Sequence, residues 1–145
     1  MKLEEFSQDD FERASRRLVR SLTRGKTTSS QPKAILLGGQ SGAGKTTIHR
    51  IKQREFQGNI IIIDGDSYRS FHPNYLGLQE KYGKDSVDYT KVFAGQMVEY
   101  LVDELSKQGY HLLIEGTLRT TEVPRKTSQL LTTKGYQVSL AVIAD

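Results

Sequence analysis

The sequence predicts an α/β fold in which a parallel sheet is flanked by helices. Helix-like and strand-like segments alternate along the chain. The clearest strand contains four consecutive isoleucines at 60–63, and the lack of polar alternation predicts a central parallel strand covered on both faces. A glycine-rich octapeptide stands between the first strand and the helix after it. These observations favour a layered α/β architecture.

The first helix has a well-defined start. Ser7 is in the N-cap position, Asp10 stands at the third helical position, and Phe6 and Phe11 have the spacing of a hydrophobic staple. Gly25 is the expected stop. The apolar stripe consists of Phe11, Ala14, Leu18 and Leu22, and the other faces carry Arg13, Arg16, Arg17, Arg20 and Arg24. These arginines are ordinarily a solvated face, and contact with a phosphate or an acidic partner is the alternative.

The remaining elements alternate from strand to helix as far as a fourth strand. They are predicted at 34–37, 45–57, 60–63, 86–108, 110–114, 123–134 and 138–144, with a polar stretch between 64 and 86. The core face of the long helix is marked by Tyr89, Phe93, Met97, Leu101 and Leu105. We expect residues 1–32 to form an N-terminal helix and linker, and 33–145 to form the core. Because the fourth strand is followed by no further helix, we expect a piece of a longer protein.

Composition excludes several classes. The 145 residues include no cysteine, which excludes disulfides and thiolate metal sites, and the three histidines show no metal-ligand spacing. No stretch is apolar enough to span a membrane and the N-terminus lacks a signal peptide, so a cytoplasmic protein is expected. Residues 1–33 hold eight basic and five acidic residues, so +3 of the net charge of +4 lies there. A nucleic-acid footprint along the whole chain is therefore not indicated.

The octapeptide matches the phosphate-loop pattern G-x-x-x-x-G-K-[ST] at every fixed position. It consists of Gly39, Gln40, Ser41, Gly42, Ala43, Gly44, Lys45 and Thr46, followed by Thr47. In this pattern backbone amides and a helix N-terminus surround the phosphates. Lys45 is expected to reach the β- and γ-phosphates of ATP, and the Thr46 hydroxyl is expected to ligate Mg²⁺. The alternative, a chance glycine turn, is disfavoured by the strand before the motif and the helix after it.

Acidic residues end the second and third strands, where ligands of parallel sheets bind. Asp64 and Asp66 are candidates for holding Mg²⁺ or for accepting the proton of an attacking hydroxyl, and capping of a helix that begins near Ser67 is the alternative. Glu115 is a candidate for contact with Mg²⁺-bound water or a substrate hydroxyl, and Arg119 for a phosphate clamp. The alternative for this second pair is a turn with a surface arginine. Glu99, Thr127 and the histidines carry no signal by themselves.

The motifs that are absent and present narrow the possible classes of phosphate-loop protein. Neither D-x-x-G nor N-K-x-D occurs, which disfavours a GTPase. The aspartates are followed by the polar, aromatic segment SYRSFHPNY, which is typical of the acceptor side of a small-molecule kinase. A nucleotide-binding interaction module remains open. A polynucleotide or tRNA kinase also remains open, favoured by the isoelectric point near 9.3 but disfavoured by the local charge excess.

Three segments together resemble the zeta toxin family. They are AILLGGQSGAGKTT, IIIIDGDSYRSFHPNY and LLIEGTLRTTEVPRKT, and the similarity covers essentially the whole chain. The resemblance implies a kinase that transfers the γ-phosphate of ATP to the 3′-hydroxyl of the amino sugar of UDP-N-acetylglucosamine and so blocks peptidoglycan synthesis. It also implies a small helical antitoxin protein that covers the ATP site.

The resemblance assigns roles to individual residues. Asp66 corresponds to the general base and Lys45 to the lysine that bridges the phosphates. The positions that line the sugar-nucleotide pocket are Glu99, Glu115, Thr117, Arg119 and Thr127, together with Asp66. The family continues past this point with arginines that close on the transferred phosphate. Because such cations contribute ~10³–10⁵ in rate to related reactions, we expect little turnover from residues 1–145 alone.

Overall fold

The computed structural model describes residues 2–39, 43–115 and 122–143. The helices are α1 (Gln8–Thr23), α2 (Ala43–Glu55), α3 (Tyr75–Tyr82), α4 (Val87–Gln108) and α5 (Glu122–Thr133). The strands are β1 (Lys33–Gly39), β2 (Ile61–Asp64), β3 (Leu112–Glu115) and β4 (Gln137–Ile143). Two 3₁₀ helices, Gly65–Phe71 and Gly83–Ser86, flank α3. The predicted α/β class is confirmed, and the predicted strands and long helices are found with shifts of a few residues at their ends.

The sheet is parallel throughout, with the strand order β2-β3-β1-β4. Glu115 at the end of β3 is in register with Leu37 of β1 on one side and with Asp64 of β2 on the other. Because neighbouring strands are about 4.8 Å apart, the carboxyl ends of these three strands form one continuous edge. We call this edge, from Asp64 through Glu115 to Gly39, the carboxyl edge.

Apolar side chains cover both faces of the sheet. Phe93, Met97 and Leu101 of α4 pack on one face with α1, and Ile48 of α2 and Phe56 just after α2 pack on the other. In the isoleucine run, Ile60, Ile61 and Ile63 are buried and Ile62 is partly buried. The interpretation of this run as a strand covered on both faces is confirmed, but β2 is an outer strand of the described sheet, so its predicted central position was wrong. Within the described residues, no helix combines the length and apolar composition needed to span a bilayer.

The predicted start of α1 is confirmed. The Ser7 hydroxyl accepts a hydrogen bond from the Asp10 amide at 3.0 Å, and the Phe6 and Phe11 rings stack at 6.2 Å. The predicted stripe faces the core, while all five arginines are exposed. Gly25 has a positive φ of 73°, which glycine adopts without strain and which redirects the chain after the helix.

The stretch between β2 and α4 is more ordered than its composition indicated. It folds into the two 3₁₀ helices and α3, although Gly77 lies within α3 and Pro73 just before it. Tyr89, predicted on the core face of α4, is only half-buried, and its ring stacks on Tyr82 at 3.8 Å. This stacking partner comes from the stretch that was predicted to be irregular, so the placement of Tyr89 in the core was wrong.

The segment HPN at 72–74 connects the N-terminal residues to this stretch through hydrogen bonds. The buried His72 accepts a hydrogen bond from the Asn74 amide at Nδ1 and therefore donates from Nε2 to the Glu4 carbonyl, each at 3.0 Å. The Asn74 side-chain amide donates to the Leu3 carbonyl at 3.0 Å. The Phe6 ring meets the Phe93 ring edge-on at 5.0 Å. The chain before α1 is thereby held against the loop that follows the 3₁₀ helix Gly65–Phe71.

We predict that His72→Ala lowers the free energy of unfolding by about 2 kcal/mol, because two hydrogen bonds and a buried ring are lost together. Asn74→Ala, which removes one side-chain hydrogen bond, is expected to cost about 1 kcal/mol. Urea denaturation measures both values, with the exposed Lys84→Ala as the control. An unchanged midpoint for His72→Ala would show that the N-terminal segment is not fastened in this way.

Candidate active site

The strand-to-helix context of the phosphate-loop motif is present. β1 ends at Gly39 and α2 begins at Ala43, so Gln40, Ser41 and Gly42 lie outside the described residues. Gly44, Lys45 and Thr46 form the first turn of α2, with Lys45 half-buried and Thr46 exposed. The amides of a first helical turn have no partner within the helix. The start of α2 therefore presents donors and a cation at the end of β1.

The charges along α2 favour an anion at this end. A helix N-terminus carries a partial positive charge, so acidic side chains normally occupy its first turn. The first turn of α2 contains no acidic residue and instead contains Lys45. Lys52 and Arg54 stand in the last turn, where cations are favourable. A lysine added to the positive end of a helix is unfavourable unless an anion compensates it, and a polyphosphate supplies that compensation.

Asp64 caps the 3₁₀ helix that follows β2. Its carboxylate accepts a hydrogen bond from the Asp66 amide at 3.2 Å, and its carbonyl accepts one from the Ser67 hydroxyl at 2.7 Å. The capping alternative considered for Asp66 was therefore wrong, because the helix begins at Gly65 and Asp64 is its cap. Asp66 lies within the first turn, so its side chain is not used in capping.

Asp66 stands at the carboxyl edge with its side chain 54% exposed. Arg69, three residues later on the same 3₁₀ helix, donates to its carboxylate from Nη2 at 3.0 Å. This pairing follows from the 3₁₀ period, which places residues i and i+3 on one face. Arg69 was not identified from the sequence, although the spacing from Asp66 was the available signal. The carboxylate of Asp66, the candidate base, is thus accessible to solvent, and the Arg69 guanidinium restrains its orientation.

Glu115 is the most enclosed acidic group of the carboxyl edge, with its side chain 1% exposed. Its Oε1 lies 2.7 Å from Nε2 of His49, which belongs to α2. An ionised carboxylate only accepts hydrogen bonds, so the imidazole is the donor. His49 was not identified from the sequence, because the two partners are separated by 66 in sequence number and form no local pattern.

Tyr68 lies beneath this group of acids. It is 3% exposed, and its hydroxyl has no hydrogen-bond partner among the described residues. Burial raises the pKa of Tyr68, an interaction with the Asp64 backbone opposes this rise in second place, and the negative charges of Asp64 and Glu115 add smaller increases. The phenol therefore stays neutral and leaves a buried polar atom behind the carboxyl edge.

Two other predicted site residues lie on helices. Glu99 is exposed on α4, and Thr127 is half-buried on α5. A Cβ at Gly65 would lie 3.0 Å from Val98, so glycine lets the start of the 3₁₀ helix approach α4 closely. Thr117 and Arg119 lie outside the described residues.

No three histidine or carboxylate side chains within the described ranges converge to hold a metal ion. Mg²⁺ bound with a nucleotide needs fewer protein ligands, because it keeps waters and phosphate oxygens. The exposed hydroxyl-bearing Thr46 at the start of α2 is compatible with that smaller requirement.

The parallel sheet and the motif between β1 and α2 define a phosphate-loop α/β protein. Within that class, a family model described as "Zeta toxin" matches residues 18–145, and the chain belongs to the zeta toxin family. The resemblance inferred from the three segments is thereby confirmed.

Individual relatives agree with this assignment. The chain is 68% identical over 144 residues to "Toxin PezT" of Streptococcus pneumoniae serotype 4, covering 99% of this chain and 57% of the relative. It is 41% identical over 139 residues to "Toxin zeta" of Streptococcus pyogenes, covering 96% of this chain and 48% of the relative. A solved structure from the PezAT chromosomal toxin-antitoxin system of S. pneumoniae matches with a TM-score of 0.96 and 69% identity, covering 99% of this chain and 60% of that one. The chain thus spans about half the length of the curated relatives it matches.

We predict that Tyr68→Phe leaves the free energy of unfolding unchanged or raises it by about 1 kcal/mol, because it removes a buried hydroxyl that lacks a partner. The matched control is Tyr136→Phe. Tyr136 is also buried, but its hydroxyl donates to the Tyr110 carbonyl. The control is expected to lose about 1 kcal/mol. Thermal and urea unfolding of both variants measure the difference, and a larger loss for Tyr68→Phe than for Tyr136→Phe would contradict the description of the Tyr68 hydroxyl.

Proposed function

We propose that this chain carries the phosphate loop and acceptor pocket of a kinase that transfers the γ-phosphate of ATP to the 3′-hydroxyl of the sugar of UDP-N-acetylglucosamine. The observation that carries the proposal is the exposed carboxylate of Asp66 on the same sheet edge as the start of α2. A phosphate site and a nearby base are the two elements that transfer to an alcohol requires.

On this proposal, the β- and γ-phosphates lie against the first turn of α2. The amides there and the Lys45 ammonium stabilise the charge that spreads over the equatorial oxygens as the phosphoryl group moves. Thr46 holds Mg²⁺, which when bound neutralises charge on the β- and γ-oxygens. This arrangement explains why the first turn of α2 has a lysine and no acid.

Asp66 accepts the proton of the sugar hydroxyl while that oxygen attacks the γ-phosphorus in line, and the bond from the γ-phosphorus to the β,γ-bridging oxygen breaks to release ADP. Arg69 bonds to one oxygen of the carboxylate. A carboxylate has about four acceptor positions, so this bond leaves room for the substrate hydroxyl. Capping by Asp64 fixes the backbone of the 3₁₀ helix and thereby the direction of the Asp66 side chain. Positioning of this kind contributes strongly to the rate, because transfer requires an aligned nucleophile.

The sugar nucleotide is proposed from membership in the zeta toxin family. Glu99, Glu115, Thr117, Arg119 and Thr127 are the proposed pocket residues. Two features of the described residues support this group: β3 delivers Glu115 to the same edge as Asp66, and the Gly65–Val98 approach brings α4 with Glu99 beside the 3₁₀ helix. The biological role that follows is a cytoplasmic toxin that blocks peptidoglycan synthesis and is held inactive by a small helical antitoxin.

We predict that Asp66→Asn lowers ATP-dependent phosphorylation of UDP-N-acetylglucosamine by about 10²-fold or more, since the amide cannot accept the proton. The assay uses residues 1–145 joined to the remaining part of pneumococcal Toxin PezT, and the product is detected by its mass gain of one phosphoryl group. Asp85→Asn, at an exposed acid in the second 3₁₀ helix, is the control and should retain full activity.

The outcomes separate the alternatives. Activity of Asp66→Asn within a few-fold of the unsubstituted chimera would contradict the base assignment. ATP binding without sugar-nucleotide binding would favour an interaction module. Steeply salt-dependent RNA binding would favour a polynucleotide kinase.

A further inference from the structure

We propose that His49 is a positioning residue that holds the Glu115 carboxylate in the acceptor pocket and ties it to the phosphate-binding helix. The inference rests on the proposed function insofar as Glu115 contacts the acceptor. The family assignment gives His49 no role. The contact between His49 and Glu115 lies within the described residues.

The contact is short and enclosed. His49 Nε2 and Glu115 Oε1 are 2.7 Å apart, and the side chains of His49 and Glu115 are 24% and 1% exposed. Charge-assisted hydrogen bonds of this length are stronger than neutral ones, and a buried acceptor has little water to replace a lost donor. The neutral imidazole with its proton on Nε2 and the imidazolium both donate to this carboxylate.

Helical geometry joins this contact to the phosphate site. His49 follows Lys45 by four residues on α2, so the two side chains lie on the same face, one turn apart. Lys45 belongs to the turn proposed to bind phosphate, and His49 reaches the end of β3. One helical face thus connects the proposed nucleotide site with the proposed acceptor site.

The position of Glu115 gives the contact a consequence for the acceptor. Glu115 is the last residue of β3, and the segment with Thr117 and Arg119 follows it directly. A buried carboxylate deprived of its donor is expected to turn toward water or toward Tyr68, whose hydroxyl has no partner within the described part of the chain. Either displacement moves a pocket residue by an ångström or more, which is enough to weaken binding and transfer.

Two substitutions at His49 and one at a second histidine separate positioning from stability. His49→Ala removes the donor, while His49→Gln places an amide nitrogen near the former Nε2. His111→Ala is the matched control, because His111 precedes the amino end of β3 and its Nδ1 accepts a hydrogen bond from the Lys33 amide at 3.0 Å. It removes a partly buried imidazole from the opposite end of the same strand.

The test is calorimetric titration of the 145-residue chain and its variants with UDP-N-acetylglucosamine and, separately, with Mg-ATP. We expect His49→Ala to weaken sugar-nucleotide binding about tenfold or more, His49→Gln to restore most of the loss, and His111→Ala to leave the affinity within twofold. Mg-ATP affinity should change less than sugar-nucleotide affinity in His49→Ala. Unchanged sugar-nucleotide affinity in His49→Ala, or equal losses in His49→Ala and His111→Ala, would overturn the inference.

If the proposed function is wrong, the titrations give a result that differs from failure of the His49 inference alone. In that case the unsubstituted chain does not bind UDP-N-acetylglucosamine, and the acceptor role of Glu115 falls with it. Proton NMR of the histidine rings then tests the hydrogen bond between His49 and Glu115 independently. If the resonance of a hydrogen-bonded Nε2 proton of His49 disappears in Glu115→Ala, the contact is supported. If this resonance is unchanged in Glu115→Ala, the contact is refuted.

Discussion

Parallel pairing of β3 with both β1 and β2 is the constraint on which the rest of this structure depends. The shared register of Leu37, Glu115 and Asp64 makes β2 and β3 end at the same level, with β1 continuing two residues further to Gly39. A one-residue slip of β3 would exchange its faces and turn Glu115 away from its partner on α2. The core that α1, α4 and α2 supply on the two faces of the sheet therefore also fixes the geometry of the carboxyl edge.

Positive and negative groups occupy different parts of the carboxyl edge. The start of α2 is positive and contains no acid, whereas the ends of β2 and β3 carry Asp64, Asp66 and Glu115. Each acid has a different surrounding. Asp64 caps a helix, Glu115 is buried against His49, and Asp66 remains accessible beside Arg69. On the proposed function, Asp66 is the best placed of the three for proton transfer, because the Asp64 carboxylate caps a helix and the Glu115 carboxylate is enclosed.

The fold and part of the site followed from local sequence patterns. The isoleucine run and the cap at Ser7 each act over a few residues and were correctly interpreted as a strand and a helix start, and the octapeptide stands between a strand and a helix as predicted. A helix near Ser67 was considered only as the capping alternative, and α3 and the second 3₁₀ helix were missed, because glycine and proline within 64–86 hid short elements that packing stabilises. The contact between His49 and Glu115 was missed for a different reason. It depends on the order of strands, which no spacing along the chain encodes.

The central claim is that the start of α2 binds a polyphosphate through Lys45. The most direct measurement is calorimetric titration with Mg-ATP of the unsubstituted chain, of Lys45→Met, and of Lys52→Met in the last turn of the same helix. The account predicts at least about a tenfold loss of affinity for Lys45→Met and no significant change for Lys52→Met. Equal affinity in all three chains would contradict it.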